Sequence, residues 1–125
     1  MPWSILGKGL SALKDAEAIG KIQVIRDIDD VLTLMDNGAE GIIVLLDAAG
    51  ATTITPIFQS IGGIICTTGG ITSHLAIVAR EFRVPCIMGA DIKFDCQLQG
   101  KIVTLKSSGE IFVMENEDDR QHKHN

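Results

Sequence analysis

The sequence predicts a single α/β domain. Hydrophobic residues make up 46% of the 125 residues and aromatic ones only 4%, which indicates an aliphatic core. Residues Gly41 to Asp47 form a continuous apolar run of strand length, as expected of a strand buried on both faces. Between Ile64 and Met88, a short apolar run, a helical pattern and a second apolar run follow one another. Such a strand–helix–strand unit predicts two parallel strands joined by a right-handed crossover.

The N-terminal residues 1–19 are expected to lead into the domain. Gly7 and Gly9 disfavour a long helix there, and residues 11–19 suit either a short helix or irregular chain. Residues 20–26 alternate between apolar and polar and are rich in residues that favour strands, so they predict the first strand.

A helix is predicted after this strand, because Asp27 or Asp29 can accept hydrogen bonds at its start. Gly38 suits the left-handed backbone with which helices commonly end. The apolar residues in between recur at helical spacing, so we expect them to face the core. They are Val31, Leu32, Leu34 and Met35.

Thr55 and Pro56 predict the start of another short helix, with the threonine as its cap and the proline in its first position. Gly62 and Gly63 are expected to end it. The residues predicted to pack inward are Ile57, Phe58 and Ile61.

The C-terminal part predicts a hairpin. Its strands are expected at residues 101–105 and 110–114, joined through a turn at 107–109 that contains a glycine. Residues 115–125 are charged and lack periodicity, which predicts a flexible polar tail. The folded domain is therefore expected to span residues 20–114.

The most informative stretch is a Gly69-Gly70 turn followed by His74 and a helical pattern. We predict a helix from Ser73 to Glu81, with His74 in its first turn and one buried stripe. The backbone N–H groups of a first turn lack intrahelical partners, and the helix dipole is positive there, so a phosphate can bind. The stripe consists of Leu75, Val78, Ala79 and Phe82.

Four roles are open to His74. A structural histidine that satisfies a local hydrogen bond is the simplest, but the position after two glycines at a helix start disfavours it. A hydrolase built from Ser73 and His74 is disfavoured, because successive helical side chains point about 100° apart and no G-x-S-x-G motif is present. A metal site is disfavoured because no cysteine or carboxylate lies at ligand spacing. His122 and His124 fall in the tail and are expected to be solvated.

The fourth role, a phosphoryl carrier, fits the stretch best. A neutral imidazole has an available lone pair near pH 7 and needs no base to expose it. The hydroxyls of Thr72 and Ser73 and the backbone N–H groups can bind the phosphoryl oxygens. The helix dipole contributes only about 0.3–1 kcal/mol, so donor and acceptor sites elsewhere must drive the transfer.

Composition limits the classes of partner and the cellular compartment that we expect for this chain. The formal net charge of −5 argues against nucleic acid and against an anionic membrane surface. No apolar run approaches the about 20 residues of a membrane span, and no signal peptide is recognisable at the start. Cys66, Cys86 and Cys96 form no C-x-x-C pair and are odd in number, so we expect reduced, unpaired thiols and a cytoplasmic location.

Residues 69–81 read GGITSHLAIVARE, and residues 84–89 read VPCIMG. This closely resembles the mobile phosphohistidine domain of phosphoenolpyruvate-utilising enzymes, with the approximate pattern G-G-x-T-S-H-x-A-I-x-A-R-E-x-G-I-P-x-x-x-G. The family includes pyruvate phosphate dikinase, phosphoenolpyruvate synthase, enzyme I of the sugar phosphotransferase system and rifampin phosphotransferase. Weaker agreement extends the resemblance over about residues 20–114.

The resemblance implies a swivelling β/β/α domain that is phosphorylated on Nε2 of His74. It implies that Thr72 hydrogen-bonds near the ring, that Gly69 and Gly70 form the turn, and that Arg80 is structural. It implies no cofactor and no metal in this domain. ATP or phosphoenolpyruvate would donate from an ATP-grasp-like nucleotide-binding partner domain or a phosphoenolpyruvate-binding one, neither of which is expected in this chain.

Three departures from the family pattern stand out. Thr67 and Thr68 replace positions that are often acidic, which could change the partner or donor that is recognised. Arg83 replaces a usual glycine, so it would have to take a helix-ending conformation that glycine tolerates better. The proline of a Thr-x-Pro segment is missing from residues 53–55.

The predicted function is a phosphotransferase component that accepts and passes on a phosphoryl group through His74. The complete reaction would need separate nucleotide and phosphoenolpyruvate or pyruvate sites. The alternative is a non-catalytic regulatory or protein-interaction module with the same fold, and a buried His74 would favour it.

Overall fold

The structure, a computed structural model, describes residues 3–47, 53–70, 73–92 and 96–115. Within these ranges lie eight strands, two α-helices and two short 3₁₀ helices. The strands are β1 (Trp3–Lys8), β2 (Leu10–Ser11), β3 (Ala18–Val24), β4 (Ile43–Leu46), β5 (Gly63–Cys66), β6 (Cys86–Met88), β7 (Ile102–Leu105) and β8 (Glu110–Met114). The α-helices are α1 (Ile28–Asn37) and α2 (His74–Phe82), and the 3₁₀ helices are Thr55–Ile57 and Cys96–Leu98.

The strands form one sheet in the order β1-β8-β7-β3-β4-β5-β6-β2. Strands β3 to β6 are parallel neighbours, and the remaining pairs are antiparallel. The first half of β3 pairs with β7 and its second half with β4, so β3 joins the two types of pairing. Strands β1 and β2 stand at opposite ends of the order although only Gly9 separates them in sequence, so the sheet returns on itself. The α/β class, the β5–α2–β6 unit and the β7–β8 hairpin are thereby confirmed.

The core consists of two apolar clusters on the two faces of the parallel strands. Alternate side chains of a strand point to opposite faces. In β4, Val44 and Leu46 belong to the cluster under the helices, whereas Ile43 and Leu45 belong to the cluster enclosed by the returning sheet. The continuous apolar run in the sequence therefore reflects burial on both faces, as predicted.

Helix α1 begins and ends where the sequence indicates. The Asp27 carboxylate accepts hydrogen bonds from the backbone N–H groups of Asp29 and Asp30, and Gly38 follows the last turn. The predicted apolar face was too wide, however. Val31 and Leu34 are buried, but Leu32 and Met35 are 47% and 53% exposed. For Met35 the reason is that it lines an open groove beside the short 3₁₀ helix Thr55–Ile57.

Residues 3–11, for which no strand was predicted, form β1 and β2. Strand β1 pairs antiparallel with β8, with Trp3 opposite Met114 and Lys8 opposite Glu110. Its partner lies at the far end of the described chain, so the local pattern carried no signal for this pairing. The predicted tail continues through residues 116–125, which lie outside the described residues.

The predicted helix at Thr55 is a 3₁₀ helix of three residues. Its cap is Ile54, without a side-chain hydrogen bond, so the prediction of Thr55 as the cap is wrong by one position. Pro56 accordingly occupies the second helical position instead of the predicted first one, whereas the apolar residues Ile57, Phe58 and Ile61 are buried as predicted. None of the described helices has the length and apolarity needed to cross a membrane.

Candidate phosphoryl-carrying site

The connection from β5 to α2 brings His74 to the surface. Strand β5 ends at Cys66, the chain passes through the two glycines, and His74 is the first residue of α2. Its side chain is exposed. The predicted position of His74, at the solvent-facing start of a helix, is confirmed.

Ser73 caps α2. Its backbone is extended, with φ −67° and ψ 158°, and its Oγ accepts a hydrogen bond from the backbone N–H of Ala76 at 3.3 Å. Its own N–H donates to the carbonyl of Gly70 at 3.0 Å, which ties the helix start to the turn. Helix-capping is thus one role of Ser73, and its contact with a phosphoryl group stays a prediction. Thr72, predicted to lie near the imidazole ring, falls outside the described residues.

Two glycines allow the turn before α2 to lie against the end of β6. Gly69 has φ +85°, and a Cβ added there would lie 3.3 Å from Met88 Cε. Gly89 has φ +58°, and an added Cβ would lie 2.9 Å from the Gly69 carbonyl oxygen. Both positions therefore favour glycine, which has no Cβ and tolerates positive φ, and the preference is strongest at Gly89, where a Cβ would meet a backbone oxygen. No role was predicted for Gly89, although it stands at the last position of the motif.

The buried face of α2 differs from the predicted stripe. Leu75, Ala76 and Ala79 are buried, whereas Phe82 is 46% exposed, so its assignment to the core is wrong. The helix packs on the sheet through its alanines, and Phe82 is left on the flank. There its ring lies against Phe58, with 5.8 Å between the ring centroids and 51° between the planes.

A cleft of about 570 Å³ opens on this flank and reaches His74. One wall is α2, and the other is the segment around the 3₁₀ helix Thr55–Ile57. The lining residues are Thr55, Pro56, Phe58, Gln59, Ser60, His74, Leu75, Val78 and Phe82. This cleft was not predicted, because its two walls meet only in the folded domain.

The chain matches a known protein family over more than half of its length. The family model described as the mobile domain of PEP-utilising enzymes matches residues 38–110. This chain belongs to that family. The match spans the Gly-Gly turn, His74 and both walls of the cleft, and it confirms the resemblance seen in the sequence.

Two curated relatives place the mobile domain within much longer proteins. The chain is 35% identical over 95 residues to chondramide synthase cmdD of Chondromyces crocatus. It is 34% identical over 98 residues to the uncharacterized phosphotransferase YvkC of Bacillus subtilis. These alignments cover 76% and 78% of this chain but only 2% and 11% of the two relatives.

A solved structure, the holo-form of aconitase X from Thermococcus kodakaraensis, has a similar fold. Its TM-score is 0.54 at 16% identity, and the superposition covers 92% of this chain and 100% of that one. At this identity the likeness concerns the fold alone.

In this mobile domain, helix α2 ends at Phe82 although Arg83 replaces the glycine that is usual after it in the family. Arg83 has φ +58° and ψ +40°, and its N–H donates to the carbonyls of Ala79 and Arg80. The expected helix-ending conformation of Arg83 is thus confirmed. Arg80 lies in the last turn of α2, about 9 Å along the axis from His74. The structural role that the resemblance implies for Arg80 stays a prediction.

The thiols of Cys66 and Cys86 are buried and unpaired, as predicted. The pKa of the Cys86 thiol is raised to about 12, mainly by burial and also by nearby Cys66, while Arg80 opposes the shift. The Cys86 Sγ lies 3.4 Å from Met88 Sδ under the helices. A buried thiol that holds its proton is inert, so Cys86 is not a candidate nucleophile. The Cys96 side chain lies outside the described residues.

Proposed function

We propose that this mobile domain carries a phosphoryl group on Nε2 of His74 and passes it on. The observation that carries the proposal is the exposed imidazole at the first position of α2, a few residues after Gly69, whose φ of +85° favours glycine. A buried histidine would have favoured a non-catalytic module. One relative, YvkC of Bacillus subtilis, is itself named as a phosphotransferase.

The chemistry needs little from the domain itself. The imidazole lone pair attacks the phosphorus of a donor, the bond to the donor's leaving oxygen breaks, and a labile N–P bond forms. The positive end of α2 and its first-turn N–H groups favour the phosphoryl oxygens. The Ser73 Oγ accepts from Ala76, which leaves its hydroxyl proton able to donate to the group. We assign Thr72 a similar hydrogen bond near the ring.

The donor site belongs to a partner in this proposal. The phosphoryl group comes from ATP or phosphoenolpyruvate on a nucleotide-binding, ATP-grasp-like domain or on a phosphoenolpyruvate-binding domain. The small share of the relatives' length that this chain covers leaves room for such domains in those proteins. Buried, unpaired thiols agree with a reducing cytoplasm as the place of action.

The test is phosphorylation of the purified chain. We expect cell extract with radiolabelled phosphoenolpyruvate or ATP to introduce an acid-labile, base-stable label. His74→Ala should abolish the label while the thermal unfolding midpoint stays close to that of the wild type, because an exposed side chain at a helix start contributes little packing.

The matched control replaces the other two histidines. The double variant His122→Ala/His124→Ala keeps His74 and should be labelled like the wild type. Label on His74→Ala that disappears after truncation behind Met114 would assign the acceptor to the tail. A wild type that takes no label from either donor would favour the regulatory module.

A further inference from the structure

The cleft beside His74 has the dimensions of a small-molecule site. Its volume is about 570 Å³, and small-molecule sites in proteins commonly measure about 300–1,000 Å³. It is concave because the nine-residue helix α2 and the 3₁₀ segment face each other across it. Its two phenylalanines, Phe58 and Phe82, are close enough to form a ring pair, and Phe82 is half-exposed. Such a half-exposed ring offers a surface for another aromatic ring.

The lining determines the charge of the ligand. Among the described residues that line the cleft, His74 alone has an ionisable side chain. Pro56, Leu75 and Val78 add apolar surface, and a few hydroxyl and amide groups come from the 3₁₀ segment. A carboxylate that entered would lose hydration and find no lysine or arginine in the wall, which is unfavourable. The cleft therefore favours an uncharged molecule.

We propose that the cleft binds an uncharged, largely apolar alcohol or phenol, and that its hydroxyl is a phosphoryl acceptor for His74. The binding step stands by itself, whereas the transfer step rests on the proposed function. In that step the hydroxyl oxygen forms a bond to phosphorus and the N–P bond to His74 breaks. The hydroxyl proton goes to the imidazole, directly or through water, and the products are a phosphate monoester and free His74.

Binding is tested with 2-naphthol, which is uncharged at neutral pH. The His122→Ala/His124→Ala chain is used, so that every imidazole signal in the NMR spectrum comes from His74. We expect 2-naphthol to shift these signals in a saturable way through its ring current. 2-Naphthoate, which has the same rings and a carboxylate in place of the hydroxyl, should bind more weakly, because the described residues of the cleft wall include no lysine or arginine.

Two variants on helix α2 distinguish binding of 2-naphthol in the cleft from nonspecific binding to exposed apolar side chains. Phe82 lines the cleft and is 46% exposed, whereas Ile77 is 48% exposed and is not among the lining residues. Phe82→Ala should weaken 2-naphthol binding by about tenfold or more, and Ile77→Ala should leave it unchanged. Ser60→Trp places a bulky ring at an exposed wall position and should block the cleft without removing core packing. Thermal unfolding of each variant verifies that the fold is retained.

Transfer is tested without any enzymatic donor. The same two-alanine chain is phosphorylated chemically with phosphoramidate, and 2-naphthol is then added. We expect 2-naphthyl phosphate in the mass spectrum, formed at a rate that saturates over the concentration range of binding. Phe82→Ala and Ser60→Trp should slow its formation, and Ile77→Ala should not.

The outcomes are distinct. Absence of saturable binding, or equal effects of Phe82→Ala and Ile77→Ala, overturns the ligand site. Saturable binding without 2-naphthyl phosphate overturns the acceptor step. Product that rises linearly with 2-naphthol, equally in all variants, also overturns it, because the reaction then bypasses the cleft. Since chemical phosphorylation needs no donor protein, failure of cell extract to label His74 contradicts the proposed function separately.

Discussion

Arg83 has a left-handed backbone conformation, which suits glycine better than arginine. It is the one described non-glycine residue with positive φ, and left-handed backbone costs such residues about 1–2 kcal/mol. Glycine avoids this cost but gains freedom in the unfolded chain, so Arg83→Gly should raise the free energy of unfolding by about 0.5–1 kcal/mol. Urea denaturation measures the change.

Arg83→Ala is the matched control for this substitution. It removes the ion pair with Asp15, whose 3.9 Å contact joins two well-exposed side chains and contributes little. It keeps a Cβ at the left-handed position, so its stability should stay near that of the wild type. If Arg83→Gly were no more stable than Arg83→Ala, positive φ would not be a source of strain here.

Individual residues were predictable where a local motif determines them. The position of His74 follows from the glycine turn and the apolar spacing behind it, both of which are visible in the sequence. The exposure of Phe82 was not predictable, because it depends on α2 packing through Ala76 and Ala79. The αL conformation of Arg83 was foreseen only because the family pattern has glycine there.

Ser73 should stabilise helix α2 as its cap. Ser73→Ala removes the acceptor of the Ala76 N–H and should lower the free energy of unfolding by about 0.5–2 kcal/mol. Ser73→Asp keeps a capping oxygen, so its stability should remain near that of the wild type. Its carboxylate would stand beside an incoming phosphoryl group, however, and like charges repel, so labelling of His74 should slow. Chemical denaturation and labelling rates measure the two effects.

Ser60→Ala serves as the control for the stability effect. Ser60 is exposed and lies outside the helix start, so this change should alter stability by less than about 0.5 kcal/mol. Equal stability of Ser73→Ala and Ser60→Ala would contradict the capping role. Fast labelling of Ser73→Asp would mean that the phosphoryl group does not approach the cap.

Elements were predictable where they depend on nearby sequence. Strand β4, the β5–α2–β6 unit and the β7–β8 hairpin have clear apolar patterns and turn residues. Strands β1 and β2 were missed because their hydrogen-bonding partners, β8 and β6, lie far along the chain. The cleft was missed for the same reason, since its two walls meet only in the folded domain.

The stability of the whole domain should depend on pH through Cys86. Its pKa is about 12 in the folded domain against an ordinary value of 9.0, mainly because of burial. Above about pH 9 the unfolded chain releases the thiol proton while the folded chain retains it, so unfolding becomes more favourable. The contribution is fully present below pH 9 and is lost toward pH 12, at about 1.4 kcal/mol per pH unit.

Denaturation of wild type and Cys86→Ala between pH 7 and 11 measures this dependence. The alanine variant should be less stable at pH 7, because it leaves a small cavity, but its stability should fall less steeply above pH 9. Parallel curves for the two proteins would show that Cys86 titrates normally in the folded domain.

The central claim is that His74 carries the phosphoryl group, and the most direct measurement is its location in the labelled chain. Tandem mass spectrometry of the phosphorylated protein, digested without acid treatment, assigns the modified residue. We predict a single phosphoryl group on His74, lost on brief acid treatment and absent from His74→Ala. An acid-stable phosphate on Ser73, or label on His122 or His124 with none on His74, would contradict it.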